Sequence, residues 1–457
     1  MPNFTIKDLK TTLKGAVVRS VKRWPSTFRR CRKWLNETQW WNADDLKKLQ
    51  LRLLKRIISH AYETVPYYTS LMKGLGLTPD DIQDINDIKK LPIIDKKEVT
   101  NEGPNFISRK FSKMFLATGH SGGTTGPRLM LKRNFRSIAD EHAFVQRQFD
   151  WAGIDLHDRC AYMMQQEVAP ANQNPKRPYS YDAAMKKLFL SIYHLSEDTV
   201  PIYATAIKAY EIKALVGYPS AAYVLAKGCL DKRIRVPLKA VLTTAETLSS
   251  ARKEIIANAF ECKVYDFYGS GERICYVHTC EYGCYHIIPE YGLTELVRAE
   301  PPNDDSYRII ATGFWNMAMP LIRYAIGDLV QPSDDACQCG RAFPVIKKII
   351  GRESNILTTP SGRVLGVTAI EDIMENVLFS IQKMPILEGQ MIQESPDLMT
   401  LEYVPLEGFS PKDADKLKLL VAEHLPDDFR SNVRPVGKIS RTVSGKALSL
   451  VIRKPQN

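Results

Sequence analysis

At 457 residues the chain exceeds a usual single domain, so two or three domains are expected. Apolar residues make up 44% and charged residues 25%, an ordinary globular balance. No apolar run approaches the ~20 residues that span a bilayer, and Met1–Asp8 lacks the apolar core of a signal peptide, so a cytoplasmic protein is expected. The formal net charge is +12, yet residues 1–36 hold ten Lys/Arg against one acid, leaving only about +3 for the remainder. That distribution argues against a general nucleic-acid-binding surface.

The basic segment, residues 1–43, also carries Trp24, Phe28 and Trp34. It reads either as a solvated helix packed on the body or as a peripheral contact with an anionic membrane. Residues 44–63 form an amphipathic pattern through Leu46, Leu49, Leu51, Leu54 and Ile57. Pro66 should end that helix, and a second is predicted at about 67–73. Thr78-Pro-Asp-Asp has the composition of a helix start.

His120-Ser-Gly-Gly-Thr-Thr-Gly-Pro127 lies between two apolar runs. Its glycines allow close backbone approach and its hydroxyls add donors, which suits a polyphosphate. An ordinary strand-connecting turn would read the same way, and the Walker A spacing is absent. Residues 135–150 read as helix, 159–164 as strand and 166–182 as loop. The pattern then alternates: helix 207–215, turn 217–220, helix 221–227, strand 239–244, helix 249–260, strand 263–268. Such alternation marks an α/β sheet with helices on its faces, and ligands are expected at the carboxyl ends of its strands. Beyond Gly351-Arg352 a smaller α+β module is predicted: helix 368–378, strands 388–392 and 399–404, helix 413–424 and a strand at 432–437.

Ala61-Tyr-Glu-Thr-Val-Pro-Tyr-Tyr, Gly76-Leu-Thr-Pro-Asp-Asp-Ile and Asp87-Ile-Lys-Lys-Leu-Pro resemble the N-terminal region of phenylacetate–CoA ligases and of CapK-like proteins from capsule loci, members of the adenylate-forming superfamily. The likeness runs from about residue 50 to the end. It implies an α/β fold with a large multi-sheet adenylation domain over 44–351 and a small mobile α+β domain over 352–457. Ser121, Gly122, Gly123, Thr124, Thr125 and Gly126 correspond to the family's phosphate loop. The family's lysine between glycine and proline is missing here, with Arg128 or Lys132 as replacements.

Further motifs carry the resemblance. Ala245-Glu246 matches a loop that contacts adenine. Tyr268-Gly269-Ser-Gly-Glu272 matches a motif whose tyrosine stacks on the purine and whose carboxylate holds Mg²⁺. Tyr324-Ala-Ile-Gly327-Asp328, preceded by Arg323, places at a strand end a carboxylate able to accept both ribose hydroxyls. Gly351-Arg352 matches the hinge, although Ser354 stands where relatives keep an acid. Ile439-Ser-Arg-Thr-Val-Ser-Gly-Lys446 matches the loop that supplies the adenylation lysine, with Lys438 as the alternative. The resemblance puts the substrate pocket near Tyr162, Tyr218 and Tyr268.

Cys280, His286, Cys337 and Cys339 are four soft ligands suited to tetrahedral Zn²⁺, with Cys284 able to replace His286. Buried thiols on β-ribbons are the alternative. The implied function is ATP- and Mg²⁺-dependent activation of an aryl or medium-sized carboxylic acid, followed by transfer to coenzyme A. Alternatives are transfer to a carrier-protein thiol or to a sugar amine or hydroxyl, or a non-catalytic scaffold in capsule assembly.

Overall fold

The computed structural model describes residues 4–121, 129–166, 168–170, 175–299, 306–353, 357–358, 361, 364–365, 373, 376–377, 380–381, 384–427, 429–442, 445–447 and 450–452. It opens with helices α1 (Ile6–Lys22), α2 (Pro25–Thr38), α3 (Ala43–Thr64) and α4 (Pro66–Gly74). Asn42 caps α3 by accepting the Asp45 N–H, and Pro66 begins α4 at the position where a missing amide costs nothing. Thr78 does make its capping box with Asp81, but only a single 3₁₀ turn follows. Helix α5 (Lys96–Glu102), hairpin strands β1 (Ala117–His120) and β2 (Met130–Arg133), and α6 (Phe135–Trp151) complete this stretch.

The α/β stretch contains β3 (Cys160–Met163), β4 (Tyr179–Asp182), β5 (Lys187–Leu190), α7 (Val200–Ala209), β6 (Ala214–Gly217), α8 (Pro219–Asp231), β7 (Ala240–Thr244), α9 (Ser250–Phe260) and β8 (Lys263–Gly269). Two expectations need correction. The predicted loop 166–182 ends in strand β4, which pairs antiparallel with β5. The predicted helix 207–215 is the end of α7 followed by buried strand β6, because an apolar run buried on both faces has no period to distinguish helix from strand.

Strands β9 (Tyr276–Thr279), β10 (Tyr285–Ile287), β11 (Gly292–Arg298), β12 (Tyr307–Gly313), β13 (Tyr324–Ser333) and β14 (Val345–Arg352) follow. The last stretch holds β15 (Leu357–Thr358), β16 (Val364–Leu365), β17 (Ile386–Ser395), β18 (Leu398–Pro405), α10 (Pro411–His424), β19 (Arg430–Pro435) and β20 (Leu450–Ile452). Most of the predicted helix 368–378 lies outside the described residues.

Two compact units divide the chain. The first comprises residues 1–11, 157–266 and 350–457; the second comprises 12–156 and 267–349. In the first, β3, β6 and β7 run parallel, and β5 flanks β3. Buried Met163, Leu215, Val241, Leu225 and Ile256 tie sheet to helices. The same unit carries a separate sheet in the order β19-β18-β17-β20, filled by Ile386, Met391, Leu401, Leu417 and Val421. The structure therefore bears out the α/β class and the smaller C-terminal α+β sheet. Among the described residues no helix is long and apolar enough to cross a membrane.

The second unit is largely antiparallel: β11, β12 and β13 form a meander, while β10 pairs with both β9 and β14. At its centre Arg147 of α6 and Glu290 are both fully buried and ion-paired at 2.7 Å. Thr38 of α2 donates to the same carboxylate at 2.8 Å, and the guanidinium lies over Phe144 and Phe343. Two desolvated charges are tolerable together, whereas either one left alone is costly. Glu290→Ala should therefore destabilise this unit by about 3–5 kcal/mol, read as a lower urea midpoint of the near-UV circular dichroism transition.

Candidate functional site

In the first unit the carboxyl ends of the parallel strands carry the adenine-loop candidates. β7 runs directly into Ala245, whose φ of +69° is the left-handed region that a non-glycine residue adopts only when its surroundings force it. That turn aims Glu246 at the start of α8. Its carboxylate accepts the Ser220 N–H at 3.0 Å and the Ser220 hydroxyl at 3.0 Å, placing negative charge at a helix N-terminus. A third donor comes from the far end of the sequence: the Ala447 N–H reaches Glu246 Oε1 at 2.8 Å.

Ala447 follows Lys446, so this bond fixes the loop that bears the candidate lysine. Within the loop the Thr442 N–H donates to the Lys446 carbonyl at 2.9 Å, and the Lys446 N–H donates to Thr442 Oγ1 at 3.1 Å. Gly445 has φ +81°, and a Cβ there would stand 2.1 Å from Ile192 Cδ1, so only glycine fits the turn and its seat. Lys438 Nζ is hydrogen-bonded to the Tyr193 carbonyl at 2.6 Å. Arg441 spans Ser220 Oγ at 3.2 Å and the Glu388 carboxylate at 3.0 Å. Burial raises the Glu388 pKa, and Arg441 opposes that shift. Arg441 was missed as a contributor. Its position inside the Ser-Arg-Thr stretch was visible, but its partners Ser220 and Glu388 are distant in sequence.

The pocket tyrosines of this unit differ in setting. Tyr218 is buried with Met163, and its hydroxyl accepts the Gln165 N–H at 3.3 Å. Burial pushes its phenol up to about 12. Tyr162 lies under the Lys187 ammonium, 4.1 Å from the ring centroid, with Phe189 alongside.

In the second unit the structure brings two distant motifs together. The Tyr268 hydroxyl donates to Asp328 Oδ2 at 2.6 Å. Asp328 lies within β13 rather than at a strand end, which corrects the expectation. The β12–β13 register slips between Arg308↔Leu329 and Ile310↔Ala325, and Gly327 takes φ +80°. That bulge re-aims the carboxylate where a regular pleat would not. The Tyr324 hydroxyl reaches Glu272 Oε1 at 3.5 Å. In the same loop Gly269 ends β8, and the Ser270 hydroxyl is buried without a hydrogen-bond partner among the described residues. An orphaned polar atom next to a carboxylate fits a polar ligand.

Arg133 donates to the Gly271 carbonyl, and burial lowers its pKa to about 10, with Arg273 adding to the effect and Glu272 opposing it. Sequence reasoning missed Arg133, since nothing near it in the chain marks it. Arg323 is clamped onto Glu295 through two bonds, at 3.0 and 2.9 Å, and serves as a brace. Ser121 closes the β1–β2 hairpin, its N–H donating to the Leu129 carbonyl at 2.9 Å. Gly122, Gly123, Thr124, Thr125, Gly126 and Arg128 lie outside the described residues, as does Ser354. Lys132 is held by Thr118 at 2.8 Å, and Arg352 is the exposed last residue of β14.

The cysteine-rich turns also converge. Cys280 and His286 flank the β9–β10 turn, and Cys337 and Cys339 lie between β13 and β14, which pairs with β10. The four ligand atoms lie within 4.8 Å of one another. Cys280 Sγ is 3.5 Å from Cys337 Sγ, and His286 Nε2 is 3.4 Å from Cys339 Sγ. Four thiol or imidazole ligands ~2.3 Å from a tetrahedral Zn²⁺ would be ~3.8 Å apart. His286 Nδ1 faces the Phe343 carbonyl at 3.4 Å, an arrangement that turns the Nε2 lone pair toward the thiols. Backbone amides of Tyr282 and Cys339 point at Cys280 and Cys337 sulfurs, at 3.4 and 3.5 Å. Burial raises both thiols to about 11, so a cation would have to supply the charge that makes them thiolates. Cys284 is not one of the four.

No family model matches the chain. It is 24% identical over 413 residues to Protein CapK of Staphylococcus aureus, covering 88% of each chain. It is 23% identical over 353 residues to a phenylacetate–coenzyme A ligase of Thermus thermophilus, covering 74% of this chain and 76% of that one. Among solved structures, 2-hydroxyisobutyryl-CoA ligase in the postadenylation state with R3-HIB-AMP superposes with a TM-score of 0.69 at 17% identity, over 92% of both chains. The same ligase with 2-HIB-AMP and CoA in the thioesterification state gives 0.55 at 18% identity over 91% of both. The chain thus has the fold of 2-hydroxyisobutyryl-CoA ligase, and over most of its length it is similar in sequence to CapK and to a phenylacetate–coenzyme A ligase.

Proposed function

We propose that this chain is an AMP-forming acid–thiol ligase: it joins an aryl or medium-sized carboxylic acid to ATP, releases pyrophosphate, and passes the acyl group from the adenylate to coenzyme A. The observation that carries this reading is the bond from Ala447 to Glu246, which ties the Lys446 loop to the strained turn after β7. The curated ligase relatives and the ligase fold support the reaction class.

Each residue has a role in this reading. A carboxylate approaching the α-phosphate meets like-charge repulsion, so both reactants need neutralising and aligning. Lys446 supplies a cation to the carboxylate and phosphate oxygens. Asp328 accepts the ribose hydroxyls, exchanging its bond from Tyr268 for bonds from the sugar. Tyr268, Gly269, Ala245 and Glu246 border the adenine, and Arg352 contacts the nucleotide. Ser121 to Gly126 hold phosphate through amides and hydroxyls, since the family's lysine is absent. Glu272 would hold Mg²⁺, which when bound neutralises phosphate charge. Tyr162, Tyr218 and Tyr268 line the acid's pocket. Interactions of this electrostatic kind contribute ~3–4 kcal/mol each to such reactions. The functional division falls at 1–43, 44–351 and 352–457, with the last segment turning about Arg352 and Ser354 between half-reactions. A cytoplasmic location follows from the cosubstrates.

The CapK relative, matched over 88% of both chains, supports a second reading of the acceptor: a carrier thiol, or a sugar amine or hydroxyl in surface-polysaccharide assembly. Pyrophosphate release across a panel of carboxylic acids, with and without coenzyme A, separates the two. Acid-dependent release that coenzyme A accelerates is expected. Release indifferent to coenzyme A favours the second reading, and no release with any acid favours a scaffold. Lys446→Ala should lower ATP–pyrophosphate exchange by about a thousandfold or more while sparing thioester formation from supplied acyl adenylate. Equal loss of both half-reactions would refute the role given to Lys446.

Cys280, His286, Cys337 and Cys339 hold a structural Zn²⁺ in this proposal, with no part in the chemistry. Elemental analysis of the purified protein should find about one zinc per chain. Cys337→Ser should lose it and melt at a lower temperature. A metal-free protein whose melting point is unmoved by a strong chelator would rule the site out.

A further inference from the structure

Helix α1 presents the wrong face to water. Asp8, the one acid in residues 1–36, is fully buried. Its carboxylate accepts Arg177 Nη1 at 2.8 Å, the Thr5 hydroxyl at 2.8 Å and the Tyr181 N–H at 2.7 Å. Gly15 is also buried on the inner side. Outward instead point Ile6, Leu9, Leu13 and Val17, which are 77%, 50%, 61% and 68% exposed. Their spacing of three, four and four residues puts all four within an arc of about 80° at 100° per residue. Phe4 and Trp24, also more than half exposed, flank the two ends of the helix.

A soluble helix spends its apolar stripe on the core and its charges on water. Here the buried face is held by an ion pair and the apolar stripe is left outside. The charges beside the stripe are all of one sign. Exposed Lys10 and Lys14 border it on one side and Arg19 on the other, and Asp8, the helix's one acid, is buried. Next to the first turn lies a cavity of ≈ 420 Å³ lined by Ile6, Lys7, Lys10, Thr11, Gln166 and Ser180. Burial, with Arg177 nearby, lowers the Lys7 pKa. An anion entering beside Lys7 and Lys10 would offset that charge.

We propose that α1 is a membrane-surface anchor: its Ile6–Leu9–Leu13–Val17 stripe enters an anionic phospholipid leaflet while Lys7, Lys10 and Lys14 engage lipid phosphates. The apolar arc supplies depth and the bordering cations supply lipid selectivity, the combination by which interfacial helices bind. The exposed aromatics at the two ends sit where interface anchors do. This goes beyond the ligase reading and does not depend on it.

The test is co-sedimentation of the full-length, nucleotide-free protein with vesicles of phosphatidylcholine alone or mixed with phosphatidylglycerol. Binding to the mixed vesicles, and its weakening in high salt, is expected. Leu9→Asp/Leu13→Asp and Lys10→Glu/Lys14→Glu should each weaken binding by about tenfold or more while leaving the melting temperature unchanged, since these side chains are exposed. Equal binding to neutral and mixed vesicles would overturn the proposal. So would a Leu9→Asp/Leu13→Asp protein that binds like the parent. Displacement by inorganic phosphate with no effect of the leucine changes would reassign the cavity to a small anion. A vesicle-independent dimer lost in the leucine variant would reassign the stripe to a second copy of the chain. Pyrophosphate release is assayed separately without vesicles, so failure of the anchor and failure of the ligase reading are distinguishable.

Discussion

One carboxylate draws remote parts of the chain together. Glu246 takes three hydrogen bonds, two from Ser220 at the start of α8 and one from Ala447. A carboxylate reaches a helix N-terminus favourably because the free amides there carry partial positive charge. The strained Ala245 is what points it that way. The loop bearing Lys446 is then held at two further points, Gly445 against Ile192 and Arg441 between Ser220 and Glu388. A lysine on a free surface loop would sample many positions. One on a turn pinned by its neighbours loses less freedom when it meets a charged reactant.

The second unit uses a different economy of charge. Arg147 and Glu290 are both fully buried, and their pairing joins α2, α6 and the β10–β11 connection. Packed near them are the two turns that supply the Cys280, His286, Cys337 and Cys339 tetrad, with Trp151 stacked on Phe343 and edge-on to His278. An antiparallel meander has fewer helices to cover its ends than a parallel sheet. A bridge between two of its turns would restrain the short stretch where β10 and β14 pair. The bulge that aims Asp328 lies in the same unit, so the backbone there must be both irregular and reproducible.

Helix α1 shows that burial need not follow hydrophobicity. Asp8 gains enough from Arg177, Thr5 and Tyr181 to be held inside. Its folded-state pKa lies below the usual carboxylate value; burial works against this, and the bonds from Arg177, Tyr181 and Thr5 outweigh it. That anchor therefore stabilises at neutral pH and is lost as pH falls through the folded value.

Much of this was readable from the residues. The α/β alternation, the capped helices such as α3, and the extra C-terminal sheet follow from periodicity and punctuation, which act over a few residues. The motifs around Ser121, Tyr268, Asp328 and Lys446 were visible as local chemistry and as family resemblance. What stayed hidden had long-range causes. β6 was read as helix because a strand buried on both faces carries no period. Asp328 looked like a strand end because a bulge depends on the partner strand's register. Arg133 carried no signal, and Arg441 stood inside a recognised motif without revealing its partners, which lie far away in sequence. By itself the sequence determined which elements form and which groups are available for chemistry, since propensity, capping and residue type are local. The tertiary structure alone decided which of those groups meet and which face of α1 is buried, since both depend on desolvation and partners brought together only by folding.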